Sequence, residues 1–147
     1  MLTSGGRFGG YGFYLKNGKP VWLWNMVDLE RLKWEGAEAL SPGKHKVDFD
    51  FLYQGKGAGT LAFNNFSGVG GPGSGTLKVD GKVVATKTMP KTLPMTLQWD
   101  ESFDIGSDTL TGVNDADYQP PFRFTGTLNK LTIKLDRPQL SAADTKS

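Results

Sequence analysis

The sequence has no cysteine and a single histidine, His45. The first absence excludes disulfides, thiol catalysis and cysteine-built zinc sites; the second makes any Ser-His-Asp arrangement depend on that one ring. An excess of one charge sign is also missing: 17 Lys and Arg against 15 Asp and Glu leave a net charge of +2, which argues against nucleic acid as a partner. No apolar run approaches the ~20 residues of a membrane span, and residues 1–12 lack the apolar stretch of a secretory signal. The chain as written is therefore expected to have no membrane span and to stay in the cytoplasm.

Apolar residues make up only 37% of the 147 positions, yet nine Phe, four Trp and four Tyr are among them, so rings are the material for a core. Twenty glycines and eight prolines reject a helical bundle, since Gly costs about 1 kcal/mol and Pro about 3 in a helix interior.

Turn signals divide the chain into short strands. Asn17-Gly18 tolerates the positive φ of a type I′ turn and joins residues 11–16 to 19–24 in a hairpin. A two-residue loop there sets Lys16 opposite Lys19, Leu15 opposite Pro20, Phe13 opposite Trp22 and Tyr11 opposite Trp24, with Tyr14 and Val21 on the other face. Pro20 then needs an edge, or a place where its missing N–H is not required. Residues 29–35 read as a helical turn or as a strand. In residues 44–53, His45, Val47, Phe49, Phe51 and Tyr53 alternate with Lys46, Asp48 and Asp50, the pattern of a half-buried strand.

Residues 54–74 are Gly-rich and read as a long loop around a short apolar run, Thr60-Leu61-Ala62-Phe63. Asp80-Gly81 turns a second hairpin, residues 95–99 suggest another strand, residues 103–118 an acidic loop, and residues 122–135 one or two closing strands. The expected division is an N-terminal tail over 1–4, one domain over 5–136 and a polar tail over 137–147. Seven or more short strands point to an all-β antiparallel two-sheet sandwich of jelly-roll type.

Several motifs in register carry a resemblance: Gly5-Gly6-Arg7-Phe8-Gly9-Gly10-Tyr11-Gly12-Phe13-Tyr14-Leu15, Asn17-Gly18-Lys19-Pro20-Val21, Leu29-Glu30-Arg31, Trp34-Glu35-Gly36, Pro42-Gly43-Lys44-His45, Val79-Asp80-Gly81-Lys82-Val83-Val84-Ala85 and Phe103-Asp104-Ile105-Gly106. Together with the closing Leu140-Ser141-Ala142-Ala143-Asp144, the chain resembles the C-terminal region of large bacterial arylsulfatases. That resemblance implies a concanavalin A-like β-sandwich appended to a catalytic domain. It does not imply sulfatase chemistry in this chain, because no window fits the Cys/Ser-x-Pro-x-Arg motif that yields the family's formylglycine nucleophile. The expected partner is a sulfatase-type catalytic domain or a second copy of the chain. Thr60 to Ser67 departs from the pattern as extra material in a loop that is short in the relatives.

Four groups of residues are candidates for chemistry, and each has a plain structural alternative. Tyr11, Phe13, Trp22 and Trp24 form either a sugar-stacking platform, with Asn25 or Asp28 accepting hydroxyl bonds, or the filling between two sheets. Asp104, Asp108, Asp115 and Asp117 offer the hard oxygens calcium takes but lack an EF-hand register, and solvated loop charge explains them as well. No other cofactor is implied. Asp48 and Asp50 share a strand face at about 7 Å, the carboxylate spacing of an inverting glycosidase or ordinary surface charge. Arg7 and Arg31 suit bidentate contact with a missing domain or a surface pair. His45 reads as a satisfied histidine, and Asn65-Phe66-Ser67 matches a glycosylation acceptor.

Overall fold

The computed structural model describes residues 1–54, 70–92 and 101–136, and no helix occurs among them. The strand expected at residues 95–99, Trp99, the loop insertion at 60–67 with its acceptor motif, and the tail at 137–147 lie outside the described residues.

Ten strands build the fold: β1 (Leu2–Gly6), β2 (Gly9–Lys16), β3 (Lys19–Met26), β4 (Glu30–Glu35), β5 (Val47–Tyr53), β6 (Gly73–Val79), β7 (Lys82–Met89), β8 (Phe103–Ile105), β9 (Ser107–Asp108) and β10 (Phe122–Arg123). They form a five-stranded sheet ordered β4-β3-β2-β1-β8, a three-stranded sheet ordered β5-β6-β7, and a β9-β10 pair, with every pairing antiparallel. This is the all-β, jelly-roll-like sandwich expected from the turn spacing.

Local chemistry fixes the first hairpin. Asn17 and Gly18 both have positive φ, at 50° and 78°, and the register is the one a two-residue loop dictates, from Lys16↔Lys19 to Tyr11↔Trp24. Asp80 and Gly81 repeat this geometry between β6 and β7, at 50° and 81°. Pro20 lies inside the five-stranded sheet. The β3–β4 ladder ends at Val21↔Glu35, and the Pro20 carbonyl accepts the Gly36 N–H at 2.9 Å, so Pro20 stands just past the last rung, where its missing N–H is not required. Residues 30–35 form strand rather than helical turn, with Leu29 in the turn before them, because β3 offers them a complete ladder.

Two sequence expectations need correction. Residues 1–4 are not a tail: Leu2–Gly6 is a buried strand between β2 and β8. Of residues 122–135, only Phe122–Arg123 enters a ladder among the described residues.

The five-stranded sheet is covered on both faces. On one face Leu2, Phe13, Met26 and Trp34 meet Leu77 and Met89 of the second sheet, with Tyr11, Trp22, Trp24, Phe49 and Phe51 packed around them. The Trp34 indole N–H crosses the gap to donate to Gly75 O at 2.9 Å. On the other face Tyr14, Val21 and Leu23 pack under Val113, Tyr118 and Phe122, which belong to the long segment following β9. The strand alternation thus sends large side chains to both sides, and sheet and loop each cover one.

Candidate functional site

The turns after β1 and after β3 lie at the same end of the five-stranded sheet, since Gly10 pairs with Asn25 across β2 and β3. Asn25 joins them. Its side chain is fully buried, donates from Nδ2 to Gly6 O at 2.8 Å and Arg7 O at 3.1 Å, and accepts from the Asp28 N–H at 2.9 Å. Asn25 therefore has no free group to offer a sugar, and its role here is to hold two loops as one rigid edge. The β3–β4 turn carries strain as well: Val27 and Asp28 adopt left-handed φ of 54° and 61°, a conformation a β-branched residue rarely takes.

That end presents Phe8, half exposed, Val27, and Leu29 at 92% exposure. Arg7 and Arg31 flank them. Arg7 bonds Asp115 at 2.9 Å, and Arg31 pairs with Asp28 while its Nε donates to Val113 O at 3.4 Å. Both arginines thus tie the turn end to the segment that covers the sheet, and Arg7 stays largely exposed. Sequence reading found the arginines but not Phe8, Val27 and Leu29. The signal was available in principle, as apolar side chains on two short turns that no core claims.

The four aspartates proposed as calcium ligands do not converge. Among the described residues no three Asp, Glu, His or Cys side chains gather to hold an ion. Asp104 accepts from Ser102 Oγ at 2.7 Å and from the Thr109 N–H at 3.1 Å, Asp108 accepts from the Tyr118 hydroxyl, and Asp115 pairs with Arg7. Asp117, with a side chain only 2% exposed, takes the Tyr14 hydroxyl at 2.6 Å, Lys33 Nζ at 2.5 Å and Lys16 Nζ. Burial alone would raise its pKa, but the bonds from Lys16, Lys33 and Tyr14 outweigh burial and hold it at about 2. Burial pushes the hydroxyls of Tyr14 and Tyr118 up, and their carboxylate partners push them further, so both stay protonated donors. Burial likewise raises the Asp108 carboxyl. These aspartates are the internal clamps of the covering segment; the calcium reading does not fit them.

The aromatic face lies between the sheets rather than on an open platform. Trp22 stacks on Phe49 with ring centroids 4.1 Å apart and on Tyr11 at 5.0 Å, and Trp24 leans on Phe51 at 5.4 Å. Phe13 is buried edge-on against Trp22. Protein rings therefore occupy the ring faces a sugar would need.

Asp48 and Asp50 point away from the core and pair with Lys46 at 2.8 Å and Lys78 at 2.5 Å, with no facing carboxylate among these contacts. His45 stands between Asp80 Oδ2, at 2.7 Å from Nδ1, and Ser41 O, at 2.9 Å from Nε2. The Asp80 bond, helped by Ser41, raises the imidazole pKa above its ordinary value. His45 is thus a latch between the loop before β5 and the β6–β7 turn. No family model, no curated protein and no solved structure matches this chain.

Proposed function

We propose that this chain is a non-catalytic accessory β-sandwich that docks on a sulfatase-type catalytic domain or on another subunit. The observation that carries the reading is the turn end, where Asn25 locks two loops together and the exposed Phe8 and Leu29 stand beside Arg7 and Arg31. Exposed apolar side chains rimmed by arginine on a rigid edge are the composition of an interface centre, and preorganisation lowers the cost of binding. The ordered resemblance of residues 5–135 to the C-terminal region of arylsulfatases supplies the class of partner. The test is sedimentation of the chain mixed with a separately expressed catalytic domain of that family. A complex is expected, weakened about tenfold or more by Leu29→Asp, a change at a side chain 92% exposed, at unchanged thermal stability. A chain that stays apart from the catalytic domain, and from itself, at high concentration would sink the reading.

Glycan binding is the second reading, and one observation favours it. The indole N–H groups of Trp22 and Trp24 are hidden from solvent without an acceptor among the described residues, and a buried donor without a partner costs about 1–3 kcal/mol. A sugar hydroxyl reaching the indole edges, rather than the ring faces that Phe49, Tyr11 and Phe51 occupy, would accept them. Tryptophan fluorescence titrated with sulfated and neutral glycans tests this, and a flat response to both rules it out.

A further inference from the structure

Residues 127–136 carry a strand's sequence without a strand partner among the described residues. Leu131, Ile133 and Leu135 alternate with Lys130, Thr132 and Lys134, the period-2 pattern of a half-buried strand. The Phe124 N–H donates to Gly106 O at 2.8 Å, but no described residue forms a ladder with the chain from there to Asp136. Leu131 touches the edge of the core, while Ile133 is 56% and Leu135 91% exposed. Among the described residues Lys130 and Lys134 make no ion pair.

The second half of such a pairing is also present. β5 is an outer strand of the three-stranded sheet, and among the described residues its far side is unpaired over seven residues. Its core-facing residues Val47, Phe49 and Phe51 would continue the apolar row of 131, 133 and 135. On its other face Asp48 and Asp50 each bind lysine through one oxygen and keep the second. Charge favours this edge: β5 carries two aspartates and no basic residue, whereas β7 carries Lys82 and Lys87, β4 balances Arg31 and Lys33 with Glu30 and Glu35, and β8 has only three residues. Lysines 130 and 134 are repelled by β7, gain nothing net from β4 and are attracted by β5.

We propose that residues 127–136 of one copy add as an antiparallel strand to the outer edge of β5 in a second copy, reciprocally, so that two chains close a two-fold dimer. Edge addition gives the donated strand's inward-facing N–H and C=O groups partners on β5, and the exchange covers Ile133 and Leu135 with the row that ends at Val47 and Phe51. The interface is separate from the turn end, so it stands or falls independently of docking there.

Sedimentation across a concentration series, combined with amide hydrogen exchange on the full chain, tests the proposal. A dimer is expected, with the amides of 128–135 protected in step with dimerisation. Lys130→Glu with Lys134→Glu should weaken it about tenfold or more, and Asp48→Lys with Asp50→Lys added to the same chain should restore it. Thr132→Pro and Ile133→Pro, one of which must fall where the ladder needs an N–H, should abolish association in at least one case while the near-ultraviolet signal of the tryptophans is kept. A monomer at every concentration overturns the proposal, whether its 128–135 amides exchange freely or are protected by closure within one chain. A dimer insensitive to all of these substitutions overturns it equally.

Discussion

Asn25 is the residue on which the turn end depends. Its amide satisfies two carbonyls of the β1–β2 turn and one N–H of the β3–β4 turn, all through a side chain with no solvent access. A shorter side chain leaves buried polar groups unpaired, at about 1–3 kcal/mol each before water enters. Asn25→Ala is expected to lose about 2–4 kcal/mol in denaturant unfolding and to speed amide exchange at 27–29 first. Asn25→Asp keeps the acceptor toward Asp28 but puts a carboxylate against two carbonyl oxygens, so it should be no milder. Stability unchanged in Asn25→Ala would show that the two turns hold without it. Sequence placed Asn25 beside the aromatic face, but an asparagine that hydrogen-bonds three backbone groups looks the same on paper as one facing a sugar.

At the scale of elements, two glycines of β6 decide how the sheets meet. A Cβ on Gly75 would stand 2.5 Å from the Phe49 ring and 2.8 Å from the Trp34 indole, and one on Gly73 would stand 2.4 Å from Phe51. The β5 rings lie across these bare strand positions, which is why a strand interior tolerates glycine here. Gly75→Ala is expected to cost about 1–3 kcal/mol by overpacking and to shift the tryptophan fluorescence, since Trp34 also bonds Gly75 O. A variant as stable as the parent would mean the rings can step aside. The first hairpin was legible to the residue, because its Asn-Gly turn sets both conformation and register; the second keeps its Asp-Gly turn, but a bulge between Leu77 and Lys78 shifts the register beyond it. β1 was not: Leu-Thr-Ser-Gly-Gly is too short and too glycine-rich to show a period, and it is a strand because β2 and β8 flank it. Residues 127–136 fail in the opposite sense, with a clear period and no ladder among the described residues, since alternation records what a strand wants and not which edge will pair with it.

In the whole molecule, one sheet is shared by two coverings of different chemistry. The second sheet covers it with rings, which are insensitive to pH. The 109–121 segment covers it with Val113 and Tyr118 and is fastened by carboxylates, above all Asp117 under Lys16, Lys33 and Tyr14. Sequence reading took that acidic loop for solvated charge or an ion site because nothing local marks an aspartate that closes over a distant tyrosine. His45 and Asp117 bias stability with opposite pH dependence. The raised His45 pKa contributes fully below about 6.5, and the contribution is lost as pH rises through the folded value. The Asp117 pKa is depressed, so its contribution is full above about 4 and disappears as pH falls toward about 2. Asp117→Asn should therefore lose about 2–3 kcal/mol at neutral pH, where two lysines lose their anion, and should flatten the acid limb of the stability curve below about pH 4. Thermal unfolding of parent and variant between pH 2 and 7 checks both parts. Parallel curves offset by a constant would mean that the loss comes from packing, and a variant with the parent's acid limb would place the titrating clamp elsewhere. The expected convergence of the two curves in acid follows only if the lysine-bound carboxylate of Asp117 is what holds the segment to the sheet.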